Sequence, residues 1–105
     1  MVSARMSTWT FKKGKEEEGF LELDNILNSS VKLTQGFRGY LSMFSTEAPN
    51  TAVILTVWQD EEALNASAKE VFAGIAEKIQ NLLEKPPTSE NFKVFSTELF
   101  QRREE

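Results

Sequence analysis

Six side chains in this sequence have the chemistry to line a binding or catalytic pocket. Tryptophan and tyrosine provide flat apolar walls with a polar tip, and tyrosine can also donate a proton. Arginine can hold an anion, and asparagine can anchor a polar group of a ligand. These six pocket candidates are Trp58, Trp9, Tyr40, Arg5, Arg38 and Asn65.

The residue types that are missing exclude several kinds of chemistry. The sequence contains no cysteine and no histidine. Disulfides, thiolate nucleophiles and cysteine zinc sites are therefore excluded, together with the usual general base and the commonest metal ligand. Carboxylates are plentiful, but the acidic runs at residues 16–18 and 60–62 suit helix starts, where negative charge complements the helix dipole.

Four of the candidates also have a purely structural explanation. Trp58 could seal one end of the core, and Arg5 could form an ion pair at the surface or at an interface. Tyr40 could be an interface aromatic with a hydrogen-bonded tip. Asn65 could be a polar residue on an exposed helix face.

The length of the chain limits the number of domains, and its net charge limits the kinds of partner. The 105 residues suffice for one small domain, which we place at residues 1–100, followed by a charged tail at residues 101–105. The net charge of −4 argues against a nucleic-acid partner. The chain shows neither a secretory leader pattern nor an apolar run of the roughly 20 residues that span a bilayer, so we expect a cytoplasmic protein without membrane contact.

The stretch at residues 51–64 organises the remaining pattern. A β-branched apolar run ends on Trp58, and a helical pattern begins just after Asp60. Asp60 can accept backbone N–H bonds from the first turn of that helix. This pattern predicts a strand that leads directly into a capped helix, with a large aromatic at the junction.

Hydropathy periods predict four strands and two helices. Alternation indicates strands at residues 2–11, 37–46, 51–58 and 92–100, and it leaves residues 88–91 as a loop. A helical period covers residues 15–36, where Gly36 can end the helix, and a second period runs from residue 61 to the prolines at 86 and 87. The first helix is expected to bury Phe20, Leu23, Ile26, Leu27, Val31 and Leu33.

The order βαββαβ predicts an α+β, ferredoxin-like domain in which two helices cover one face of a four-stranded antiparallel sheet. The strands, however, are apolar on both faces. The third strand carries Val53, Leu55 and Val57 on one face and Ala52, Ile54 and Trp58 on the other. The second strand divides into Phe37, Leu41 and Met43 against Tyr40 and Phe44.

Two helices can cover only one of these faces, and the other would expose more apolar surface than a soluble monomer usually tolerates. We therefore expect the second face to pack against another copy of the chain as a homodimer.

Three motifs, in this order, resemble the antibiotic biosynthesis monooxygenase family. They are KGKEEE at residues 13–18, QGFRGY at residues 35–40 and LTVWQDEEAL at residues 55–64. The resemblance covers nearly the whole chain. It implies a ferredoxin-like domain whose dimers form a shared α+β barrel, with Trp58 as a wall of the pocket.

The stretch at residues 53–72 is similar to the haem-degrading branch of that family. That branch needs a histidine on the second helix, and this sequence has none; the corresponding position lies near Ala76. The asparagine of the first strand is replaced near Thr8, and Asn65, Ala66 and Ser67 stand where an early-helix tryptophan belongs. Haem degradation by that mechanism is not expected.

The resemblance implies a monooxygenase that works without a cofactor on a small apolar or aromatic compound, in a pocket between sheet and helices near Trp58. Such an enzyme supplies a dry pocket, an aromatic wall and a polar group that holds the substrate anion. The alternative is a non-catalytic dimeric module that binds a small molecule or a partner. Haem binding without degradation, through tyrosine or methionine, is a third hypothesis. A pocket of about 300 Å³ or more beside Trp58 would favour ligand chemistry, whereas a filled core would favour the module.

Overall fold

The computed structural model describes residues 1–98. Within this range, four strands and three α-helices follow one another, with two short 3₁₀ turns and one π-helical turn between them. The strands are β1 (Ser3–Thr10), β2 (Phe37–Phe44), β3 (Thr51–Trp58) and β4 (Thr88–Lys93), and the helices are α1 (Glu16–Ser29), α2 (Glu61–Ser67) and α3 (Ala73–Lys78). No helix within residues 1–98 is both long and apolar enough to cross a membrane.

The four strands form one antiparallel sheet in the order β2-β3-β1-β4. The central pair β1 and β3 is in register over its whole length, from Ser3 opposite Trp58 to Thr10 opposite Thr51. The predicted ferredoxin-like α+β fold is thereby confirmed, with the helical segments packed on one face of the sheet.

The first helix is shorter than its sequence period suggests. α1 ends at Ser29, and a 3₁₀ turn at Val31–Leu33 follows it. The tighter turn changes the angular phase of the chain, so Leu33 is 80% exposed rather than buried. The prediction that Leu33 belongs to the buried arc was therefore wrong, whereas Leu23, Ile26, Leu27 and Val31 are buried as expected.

Gly36 ends this connection with a positive φ of 86°, a conformation that glycine adopts without a steric penalty. A β-carbon at this position would lie 2.6 Å from Cβ of Ala63. Gly36 therefore allows the chain to turn into β2 directly against the first turn of α2.

The predicted second helix is interrupted by a wider turn. α2 begins after Asp60, whose Oδ1 accepts a hydrogen bond from the backbone N–H of Ala63 at 2.8 Å, as the sequence predicts. Ala68–Phe72 then forms a single π-helical turn, and α3 continues from Ala73. π-helical turns inside helices occur frequently at functional sites.

The position of the last strand was predicted incorrectly. The sequence places this strand at residues 92–100 and a loop at residues 88–91, but β4 occupies Thr88–Lys93. Every residue of β4 is exposed. This edge strand is therefore specified by its hydrogen-bonded pairing with β1 and not by the burial of apolar side chains. The end of the predicted strand, at residues 99–100, and the predicted tail at residues 101–105 lie outside the described residues.

The core lies between the sheet and the helices. Its largest fully buried side chains include Trp9 and Trp58 from the strands, Phe11 just after β1, and Leu23 and Leu64 from the helices. The helix-covered face is thus the one that carries Ala52, Ile54 and Trp58 on β3.

The opposite sheet face is open and apolar. Met6, Leu41, Met43 and Phe92 are each at least 40% exposed there, and the register brings Leu41 opposite Leu55 and Met43 opposite Val53. A register shift between Phe37 and Gly39 moves Phe37 to the helix-covered side, where its ring lies 5.2 Å from that of Trp58. The predicted grouping of Phe37 with Leu41 and Met43 was therefore wrong.

Candidate functional site

Between the sheet and the helices lies a small cavity that we call the inner chamber. Its volume is about 20 Å³, room for roughly one water molecule. Strands supply one wall and helices the other. The lining residues are Arg5, Ser7, Trp9, Ile54, Thr56 and Trp58 from β1 and β3, Leu23, Leu27 and Val31 from α1 and the turn after it, and Val71, Phe72 and Ile75 from the π-helical turn and α3.

Two tryptophans form the sheet side of the inner chamber in the same way. The indole Nε1–H of Trp9 donates to Ser7 Oγ at 2.8 Å, and the indole of Trp58 donates to Thr56 Oγ1 at 3.0 Å. Residues two apart on a strand share a face, so each hydroxyl lies beside its tryptophan. Each indole is therefore satisfied within its own strand, and both rings are held as apolar walls.

Arg5 brings a positive charge into this apolar layer. Its residue is only 4% exposed. Nη1 donates to Ser67 Oγ at 3.0 Å and Nη2 donates to the Leu64 carbonyl at 2.9 Å, where α2 ends. Nε donates to Oδ1 of Asn91 on β4 at 3.3 Å. Arg5 thus connects the central strand to the helix end and to the edge strand.

All three hydrogen-bond partners of Arg5 are neutral. Within residues 1–98 the ion pairs are Lys15 with Glu18 and Lys93 with Glu61, and neither involves Arg5. Burial lowers the pKa of Arg5, although arginine remains protonated at physiological pH. A buried positive charge without a negative partner is costly for folding, so its presence calls for a role. The expected surface or interface ion pair of Arg5 is not what the described residues form.

Phe72 closes the inner chamber from the π-helical turn. Its ring centroid lies 5.7 Å from Cζ of Arg5 and 5.5 Å from the ring of Trp9. These distances fit a cation–π contact and an aromatic pair. Phe72 is only partly buried, and none of the five residues of the turn is fully buried.

A larger cleft adjoins the inner chamber. It has a volume of about 360 Å³ and lies between the end of α1 and the segment from Glu70 to Lys78. Val31, Val71 and Ile75 line both spaces, so these three side chains form the wall between the cleft and the inner chamber. The cleft has the size of a small-molecule site, whereas the chamber does not.

Of the six predicted pocket candidates, the fold brings Arg5, Trp9 and Trp58 together in the inner chamber. Arg38 is exposed on β2, beside the register shift. Asn65 is exposed on α2 and lines a separate shallow groove next to β4.

Tyr40 also lies outside the inner chamber. Its ring stacks against Phe37 at 6.4 Å, and its hydroxyl donates to Asp24 Oδ1 at 3.4 Å. Desolvation raises the pKa of Tyr40, and the charge of Asp24 and their hydrogen bond raise it further. Tyr40 therefore stays protonated at physiological pH, and its position matches an aromatic with a hydrogen-bonded tip.

Sequence reasoning overlooked four residues that complete the inner chamber and the setting of Arg5. Ser7 and Thr56 could have been found from their spacing, since each precedes a tryptophan by two positions on a strand. Phe72 falls in the helical period and at the end of the stretch that resembles the haem-degrading branch, and neither pattern marks it as a pocket residue. Ser67 approaches Arg5 through tertiary packing, which carries no local sequence signal.

These features define an α+β domain with a small, mainly apolar cavity in its core, into which Arg5, Ser7 and Thr56 bring polar groups. The model of the antibiotic biosynthesis monooxygenase family matches residues 3–71, which is more than half of the chain. The chain therefore belongs to that family. No curated protein matches the sequence.

Several solved structures share the fold at low sequence identity. A protein of unknown function from Nitrosomonas europaea has a TM-score of 0.81 at 19% identity, over 96% of each chain. A candidate antibiotic biosynthesis monooxygenase from the same organism has a TM-score of 0.76 at 10% identity, over 90% of each chain. A conserved protein from Methanosarcina mazei has a TM-score of 0.73 at 18% identity, over 89% of this chain and 92% of the other. At these identities the likeness concerns the fold alone.

Proposed function

We propose that this protein binds a small apolar, aromatic compound between its sheet and its helices, and that it oxidises this compound as a monooxygenase without a cofactor. The observation that carries the proposal is the inner chamber. Arg5, Ser7 and Thr56 place polar atoms inside a layer walled by two tryptophans and a phenylalanine, and a small cavity remains among them. Apolar walls with a few convergent polar groups are typical of ligand sites.

In such a reaction the substrate supplies the electrons. In anthrone, for example, the ring CH₂ group lies across the central ring from the carbonyl, which acidifies it through the flanking aromatic rings, so that it loses a proton to form an electron-rich anion that reacts with O₂. One oxygen atom becomes the new carbonyl of the ring, and the other leaves as water with the two hydrogens of that carbon. The protein would hold the anion by hydrogen bonds and exclude bulk water, which strengthens electrostatic interactions within the site.

Oxygen uptake tests this proposal. We expect the protein to consume O₂ with anthrone-like or dihydroxy-aromatic substrates, and Trp58→Phe to lower the rate because the smaller ring loses the wall and the hydrogen bond to Thr56. Phe20→Leu is the matched control, since Phe20 packs between Phe11 and Phe44 away from the inner chamber. Absence of uptake and of any ligand-induced thermal shift across a broad panel would contradict the enzyme proposal.

A second candidate function is a non-catalytic dimeric module that binds a small molecule or a protein partner. The observation that favours it is the size of the inner chamber, because about 20 Å³ is far below the 300 Å³ or more of a typical ligand pocket. Among residues 1–98 the buried side-chain nitrogen and oxygen atoms all have hydrogen-bond partners, so the closed chamber is satisfied without a ligand. Binding of a small molecule in the chamber therefore requires side chains to move, whereas binding of a protein partner requires no such opening.

We also propose that a second copy of the chain covers the open sheet face in a homodimer. Met6, Leu41, Met43 and Phe92 form a broad apolar surface there, with Glu90 on the edge strand at its margin. A two-fold axis packs this apolar surface against the same surface of the second copy, so that both are removed from water. Sedimentation at micromolar concentration should give the mass of two chains, and a single-chain mass would exclude this assembly. The cytoplasmic location and the absence of a cofactor, both expected from the sequence, stay predictions.

A further inference from the structure

We propose that the ligand of the inner chamber carries a negatively charged group that pairs with Arg5, and that its ring takes the place now held by the Phe72 ring. This inference rests on the proposed function in one respect, namely that the chamber binds an aromatic compound. It adds Arg5 as the partner of the negative charge and Phe72 as the side chain that moves aside for the ligand ring.

The charge follows from the surroundings of Arg5. Its guanidinium is buried and bonded to two backbone or side-chain oxygens of α2 and to an amide oxygen of β4, all of them uncharged. These neutral acceptors and the Phe72 ring stabilise the guanidinium in part, but none of residues 1–98 forms an ion pair with it, and a carboxylate or phenolate would add a charge-assisted hydrogen bond. An anionic group on the ligand is therefore favoured over a neutral one.

The ring position follows from Phe72. Its phenyl ring lies over the guanidinium and beside the indole of Trp9, at 5.7 Å and 5.5 Å. An aromatic ligand whose anionic group faces Arg5 needs these same two surfaces. The Phe72 ring thus occupies the place that the ligand ring requires, which explains why a chamber with aromatic walls has a volume of only about 20 Å³.

The position of Phe72 in the chain allows its side chain to move out of the inner chamber. It is the last residue of the π-helical turn, in which no residue is fully buried, and it is itself partly exposed. Moving the Phe72 side chain outward breaks its contacts with Trp9 and Arg5 but removes no fully buried residue from the core. Gly74, two residues further on, has open space around it, and the adjoining cleft of about 360 Å³ reaches the chamber wall at Val71 and Ile75.

Binding of benzoate and benzamide tests both parts of the proposal, since the two probes have nearly the same shape and differ in charge. In Phe72→Ala the ring is absent, so we expect benzoate to bind at least tenfold more tightly than in the wild type and at least tenfold more tightly than benzamide. Calorimetry gives the dissociation constants. The chain has two tryptophans and both line the chamber, so a change in their fluorescence locates the bound probe.

Three further variants separate charge from space. Adding Arg5→Met to Phe72→Ala should remove the preference for benzoate, while adding Arg5→Lys, which keeps the positive charge, should retain much of it. Phe20→Ala makes the same truncation at a partly buried site outside the chamber and should not gain benzoate affinity. Circular dichroism melting shows whether each variant is folded.

The possible outcomes test the anionic group of the ligand, the role of Phe72 and the binding of an aromatic compound separately. Equal binding of benzoate and benzamide by Phe72→Ala would overturn the anion while leaving a ligand-binding chamber in place. Equal affinity of wild type and Phe72→Ala for benzoate would overturn the role of Phe72. If neither probe binds Phe72→Ala, the whole inference fails, and oxygen uptake by the wild type then decides separately whether the proposed function survives.

Discussion

The two faces of the sheet are both apolar, but among residues 1–98 the buried polar groups lie on only one of them. On the helix-covered face, Arg5, Ser7 and Thr56 are buried among tryptophans, and Ser3 and Ser67 are buried on the same side of the sheet. On the open face the prominent side chains are methionine, leucine and phenylalanine. Successive residues of the same strands therefore belong to two surfaces of different chemistry.

This difference suggests a division of roles. Polar groups in a protein interior have to be hydrogen-bonded, and a buried charge is seldom the most stable choice for a core position. Their concentration on the helix-covered face is what a ligand site requires. The open face lacks such a group of buried polar residues and resembles half of a subunit interface.

The largest expected difference between the faces concerns stability. Trp58 is fully buried, so Trp58→Ala should lower the free energy of unfolding by about 3–5 kcal/mol. Met43 on the open face is 40% exposed, and Met43→Ala should cost about 1 kcal/mol. Urea unfolding measures both. Equal losses would mean that the two faces contribute alike to the fold of the protomer.

The next expected difference concerns assembly. Leu41→Glu places a charge on the open face, where the proposed dimer would bury it once from each copy, so the dimer should dissociate at micromolar concentration while the protomer stays folded. Leu21→Glu is the matched control, because Leu21 is an exposed leucine of α1 on the other side of the sheet. Sedimentation of both variants gives the masses. Dissociation of Leu21→Glu instead would place the interface on the helices.

The fold could be predicted from the sequence where burial imposes a period on the chain. β3 was predicted at its observed bounds because its helix-covered positions are buried in strict alternation. β4 was not, because it is an exposed edge strand whose hydrogen bonds to β1 leave no hydrophobic pattern. The register shift at Phe37 could not be predicted either. A shift of one residue moves a side chain to the other face of the sheet without any change in the sequence pattern.

The site could be predicted only in part. The alternation along β1 puts Arg5 and Trp9 on one face. Trp58 joins them through the pairing of β1 with β3. The neutral partners of Arg5 could not be anticipated, since Ser67 lies 62 positions away along the chain and Asn91 lies 86 away. The π-helical turn also has no periodic signature, so Phe72 was indistinguishable from an ordinary core residue.

The most direct test of the account is the free energy of unfolding of Arg5→Met together with its binding of benzoate. If Arg5 is present for a ligand, replacing its uncompensated charge by a similar apolar volume should leave stability within about 1 kcal/mol of the wild type, or raise it. In the Phe72→Ala background, in which benzoate is expected to bind, Arg5→Met should at the same time abolish the preference for benzoate over benzamide. Arg38→Met, the same change at an exposed arginine, should alter neither quantity. A loss of about 3 kcal/mol or more in Arg5→Met, with the benzoate preference retained, would contradict the account and make Arg5 a structural residue.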